Sequence, residues 1–106
     1  MNYRYMRVLV FFDLPILTDM ERREYRKFRK YLIKSGFIME QESVYSKLVV
    51  NCAAADALAN NVRKNAPGKG LVQLMRVTEN QYCKMEYIVG ERKTDILDTT
   101  ERLVIL

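Results

Sequence analysis

Residues 6–12 are apolar at every position except Arg7, and Asp13 then closes the run with Leu14-Pro15 behind it. A run this short, rich in β-branched and aromatic residues, predicts a buried strand that stops before the proline. The periodicity then changes. Thr18-Asp19-Met20-Glu21 fits a capping box, with Thr18 as the cap and Glu21 three residues on. It predicts a helix reaching Ser35, with Gly36 as its stop. At about 100° per residue, Met20, Tyr25, Phe28, Tyr31 and Leu32 share one face. Arg22, Arg23, Arg26, Lys27, Arg29, Lys30 and Lys34 share the other, with Ile33 the one apolar misfit.

Residues 37–41 and 44–50 read as two strands joined in a hairpin by Glu42-Ser43. Asn51 can cap a second helix over residues 53–65, whose inner face is small: Ala54, Ala55, Leu58 and Val62. Ala66-Pro67-Gly68-Lys69-Gly70 is a breaker, and residues 71–77 form a fourth strand. A turn through 78–83 leads to a fifth strand at 85–89. Residues 91–100 are polar, and the chain closes on the apolar Leu103, Val104, Ile105 and Leu106.

The order β-α-β-β-α-β predicts an α+β, ferredoxin-like split βαβ domain over residues 1–90. Residues 91–106 then serve as a polar linker and an additional C-terminal strand. Two helices cover only one face of a four-stranded sheet. Yet Val8, Val10 and Phe12 alternate with Leu9 and Phe11, and Val44, Leu48 and Val50 with Tyr45 and Val49. An antiparallel sheet with one wet face should alternate with polar residues instead. A homodimer packed sheet against sheet would bury the second face. The alternative is that the fifth strand and the tail fold back over it. The tail itself suits strand addition to a sheet edge of a partner protomer or another protein.

Charge adds a partner class. The net charge is +5 and the pI about 9.3, which favours a polyanion. The first helix holds seven Lys/Arg and only Glu24 between Arg22 and Lys34, a net +6, leaving the rest of the chain at −1. A solvated face is one reading of such a run. This one lacks the alternating acids of a salt-bridged surface. Arg22, Arg23, Arg26, Lys27, Arg29 and Lys30 are therefore candidate contacts to a nucleic-acid duplex, through phosphates rather than bases. Two such helices related by a dimer axis would straddle a duplex. Arg76 and Lys47 are lesser candidates for phosphate or for solvent.

The absence of histidine excludes Ser-His-Asp and Cys-His catalysis and any His-bearing zinc site. Cys52 and Cys83 are too few and too far apart for a zinc ribbon or redox pair, and read as reduced thiols of a cytoplasmic protein. No secretory pattern opens the chain, and no apolar run approaches the ~20 residues of a membrane span. Pro67-Gly68-Lys69-Gly70 lacks P-loop spacing, so a small-molecule regulatory role has no motif behind it. Asp13, an acid at a strand end beside this basic surface, is a candidate for holding a metal ion near a nucleic-acid backbone. Alternatively Asp13 caps a turn. Glu40 and Glu42 lie at strand ends, with nothing in the sequence to bring them to Asp13.

In order and spacing, three segments resemble one family. They are Val10-Phe11-Phe12-Asp13, the helix end Tyr31-Leu32-Ile33-Lys34-Ser35-Gly36, and Gln41-Glu42-Ser43-Val44-Tyr45. The chain is similar over nearly its whole length to the small CRISPR-associated adaptation protein that partners the spacer integrase, the second Cas protein. Tyr3-Arg4-Tyr5-Met6-Arg7 and Glu101-Arg102-Leu103-Val104-Ile105-Leu106 resemble the branch found beside Cas9-type effectors. The resemblance implies a ferredoxin-like homodimer between two dimers of the integrase, in a complex that inserts spacer DNA into a CRISPR array. For some members it also implies a magnesium-dependent endonuclease on RNA or DNA, with Asp13 at the position of the metal-binding acid, one from each protomer. The family often has Tyr before this acid. Here Phe12 stands there, without a phenol to touch phosphate or water. Two functions stay open: a DNA-binding scaffold of the integrase complex, and a stand-alone metal-dependent nuclease.

Overall fold

The computed structural model describes residues 5–91. The linker beyond Glu91, and Leu103, Val104, Ile105 and Leu106, lie outside the described residues. In chain order the elements are β1 (Met6–Asp13), α1 (Asp19–Lys34), β2 (Ile38–Gln41), β3 (Val44–Val49), α2 (Cys52–Asn65), β4 (Leu71–Thr78) and α3 (Glu79–Cys83). The strands form one antiparallel sheet in the order β2-β3-β1-β4. Each of the two long helices thus connects strands that flank a third. This is the expected ferredoxin-like α+β arrangement.

Local chemistry sets the helix limits. The Thr18 hydroxyl accepts from the Glu21 N–H at 3.1 Å, and the Glu21 carboxylate accepts from the N–H groups of Thr18 and Leu17 at 3.0 and 2.9 Å. The backbone bond to Thr18 is the main reason the Glu21 carboxyl titrates below its usual range. At the other end Gly36 takes φ +97°, its N–H donates to the Ile33 carbonyl, and the Phe37 N–H donates to Leu32. That pair of bonds is a Schellman stop, and a side chain at Gly36 would collide with the Lys47 ammonium. Asn51 Oδ1 caps α2 by accepting from the Ala54 N–H at 2.8 Å.

Alternation divides β1 between two faces. Met6, Val8, Val10 and Phe12 meet Phe28 and Leu32 of α1, Tyr45 of β3, and Ala55 and Val62 of α2. Phe12 is the hub, edge-on to Phe28 at 5.4 Å and stacked with Tyr45 at 5.6 Å. Each large side chain buried here contributes about 1.5–3 kcal/mol over its exposed state. The predicted inner faces need adjustment. Ala59 is buried in α2 beside Ala55 and Val62, whereas Met20 of α1 is 66% exposed. Met20 lies in the first turn of α1.

The predicted fifth strand at 85–89 does not form; that segment is irregular and has no ladder partner among the described residues. The predicted turn at 78–83 is instead the short helix α3, capped by Thr78 and Gln81 in a second capping box. Once α3 has turned the chain off the sheet, Ile88 and Val89 are left 84% and 90% exposed.

The face away from α1 and α2 carries Arg7, Leu9, Phe11 and Asp13 of β1, with Leu48, Met75 and Leu71 opposite them in the ladders. Alpha-helix α3 covers one end of it. Leu48, Leu71 and Met75 remain about half exposed.

Candidate functional site

The solvent face of α1 bears the predicted cations, all exposed. They are not equivalent. Arg22 is occupied: one terminal nitrogen donates to the carbonyls of Ile16 and Leu17, and the other pairs with Asp19. Arg29 donates through Nε to the Tyr45 hydroxyl at 2.9 Å. Arg23, Arg26, Lys27, Lys30 and Lys34 make no ion pair with another described residue, and with Ile33 they line a shallow open groove. The groove can attract a polyanion along its length but offers no enclosed pocket for a base. The two strand cations lie on the helix side and are engaged. Arg76 pairs with Asp56 of α2 at 3.0 Å, and Lys47 lies against the C-terminal end of α1, where a cation suits the helix dipole.

Asp13 is the last residue of β1, opposite Leu71, and exposed. By strand alternation it shares the face of Leu9 and Phe11, away from α1. Gly70, at φ +90°, packs the breaker loop against it; an added Cβ would sit 2.8 Å from the Asp13 carbonyl oxygen. The Phe12 N–H donates to the Ser43 carbonyl at 3.0 Å, so the β2–β3 turn holding Glu42 lies beside the end of β1 that carries Asp13. Glu40 is committed elsewhere. Phe12 is 5% exposed and points into the helix-side core. Among the described residues no three His, Cys, Asp or Glu side chains cluster as a metal site. The cysteines are both free and exposed. No helix among the described residues is long and apolar enough to cross a membrane.

The sequence reading missed a polar network beneath α3. Arg7 interrupts the apolar run of β1 and donates twice to Glu79, at 2.9 and 2.7 Å. Burial acts to lower the Arg7 pKa, but Glu79, Tyr82 and Glu40 outweigh it and the net shift is upward. The Tyr82 hydroxyl donates to Glu40, which also accepts from the fully buried Ser46 hydroxyl at 2.6 Å. Burial, then the bond to Glu40, pushes the Tyr82 phenol up to about 12. The lone Arg7 in an apolar run was the available signal.

Comparison with known proteins adds to this geometry. A family model described as CRISPR associated protein Cas2 matches residues 6–85. A Treponema denticola protein named CRISPR-associated endoribonuclease Cas2 is 59% identical over 101 residues, covering 95% of this chain and 100% of that protein. A Streptococcus mutans protein of the same name is 48% identical over 101 residues, covering 95% of this chain and 93% of its own. A solved structure described as "Crystal structure of cas2" matches with a TM-score of 0.56 at 18% identity, over 87% of this chain and 94% of that one, a likeness of fold. The strand-ending acid, the basic helix and the split βαβ sheet all fall within the residues the family model matches, and the chain belongs to the CRISPR-associated Cas2 family.

Proposed function

We propose that this chain serves CRISPR adaptation as a homodimeric scaffold that holds double-stranded DNA for the integrase, in the branch beside Cas9-type effectors. The observation that carries the reading is the run of cations along one face of α1 that make no ion pair with another described residue. Phosphate neutralisation by such a face is indifferent to sequence and releases counterions. The half-exposed apolar residues Leu48, Leu71 and Met75 on the opposite sheet face support the dimer, since they gain cover from a second copy. A strand-integration assay with the integrase tests the reading. Integration should fall at least tenfold when Arg23, Arg26, Lys27 and Lys30 are all replaced by Ala in a protein that still folds. Unchanged integration would overturn it.

A second reading rests on Asp13 and on the relatives' name, CRISPR-associated endoribonuclease. Asp13 is an exposed hard-oxygen ligand, and one copy from each protomer matches the modest carboxylate demand of Mg²⁺. Such an ion would activate water and polarise a phosphodiester. The chain's own part is to hold the carboxylate at the strand end, with Gly70 packed against its backbone. Magnesium-dependent RNA or DNA cleavage by the pure protein, abolished by Asp13→Ala, would favour this activity.

A further inference from the structure

We infer that Tyr45 is a positioning residue for Arg29, holding that guanidinium ready for a phosphate. The inference rests on the reading of α1 as a nucleic-acid face. Tyr45 is fully buried, on the helix side of β3, with its ring stacked on Phe12 at 5.6 Å. A buried phenol calls for a hydrogen-bond partner. It finds one in Arg29 Nε, 2.9 Å away. The core thus reaches out to the basic surface at this point and fixes one of its side chains.

The contrast with Arg22 shows why this tether matters. The terminal nitrogens of Arg22 are used, and the Asp19 carboxylate offsets its charge. Arg29 is held only through Nε and only by a neutral hydroxyl. Its charge is undiminished, and its terminal nitrogens have no partner among the described residues. Those nitrogens form the edge that meets an anion with two parallel bonds. A free Lys or Arg loses rotamer freedom when it binds; Arg29 has lost much of it beforehand. Within the basic face, Arg29 is therefore the presented contact and Arg22 the occupied one.

The test is duplex binding by the full chain, followed by fluorescence anisotropy across a salt series. Arg29→Ala should weaken binding and shallow the plot of log K against log[salt] by about 0.9. Tyr45→Phe keeps the ring and every charge. It should weaken binding about three- to tenfold with the slope unchanged. In the Arg29→Ala background, Tyr45→Phe should add nothing. Arg22→Ala should cost less than Arg29→Ala. If Tyr45→Phe does not fold, Arg29→Lys replaces it, with the same expected loss at an unchanged slope. Wild-type affinity in Tyr45→Phe or Arg29→Lys, alongside a weakened Arg29→Ala, overturns the positioning role alone. Wild-type affinity in Arg23→Ala, Arg26→Ala and Arg29→Ala together overturns the nucleic-acid face, and the positioning role with it.

Discussion

The guanidinium of Arg7 sits 4.0 Å from the centre of the Tyr82 ring while gripping Glu79 with two hydrogen bonds. One β1 residue thus contacts α3 in two ways, by charge and by the ring face. Glu40 and Ser46 complete the arrangement from β2 and β3. A five-residue helix cannot hold itself together, so this network is what docks α3 on the sheet.

Arg7→Leu should therefore destabilise the protein by about 2–3 kcal/mol, because Glu79 and Glu40 lose the cation that compensates them. Urea unfolding of variant and wild type measures it. A difference below about 0.5 kcal/mol would mean that α3 is docked by apolar contact alone.

Tyr82 gives an alkaline signature. Its phenol titrates at about 12 rather than 10.0, so the folded state keeps a proton that the unfolded state releases. The stabilisation is fully present below about pH 10 and is lost as pH rises towards 12. Other tyrosines and lysines titrate in the same window, so Tyr82→Phe is the reference. Between those pH limits the wild type should lose roughly 1–2 kcal/mol more than the variant. Parallel pH profiles from thermal unfolding would count against the network.

The apolar sheet face predicts self-association. Sedimentation equilibrium at micromolar concentration should give a dimer, and Met75→Glu or Leu48→Glu should shift it towards monomer. A wild type that sediments as a 12.5 kDa species removes the dimer.

Asp13→Ala should abolish any magnesium-dependent cleavage and leave duplex affinity unchanged or slightly higher, since a negative charge is lost. Filter binding and a cleavage assay on one preparation check both halves. A variant that folds and dimerises but no longer binds DNA would tie the acid to DNA holding.

Most of the fold was legible because each element carries its own signals. The Thr18 box and Gly36 bound α1, Asn51 starts α2, and the 66–70 breaker precedes β4. The segment at 85–89 misled because an apolar run shows only that a strand is permitted. Whether it finds a ladder partner depends on where α3 sends the chain. The second box, Thr78 to Gln81, starts a helix of only five residues, too short to show a helical apolar period of its own. Asp13 and the α1 cations were legible as types. So were their places at the strand end and on the outer helix face; the side-chain pairings were not, since the Arg29–Tyr45 bond spans sixteen positions and the Arg7–Glu79 pair seventy-two. Such pairings arise where a helix packs against a strand, and they leave no local pattern.

Asp13 and the cations of α1 stand on opposite sides of one sheet, and no side-chain contact links them among the described residues. Substitutions at either place leave the surroundings of the other intact. Descent can then alter the acid and the cations separately. A lineage that sheds the carboxylate keeps its whole basic helix, and one that redraws the helix keeps the carboxylate in its setting.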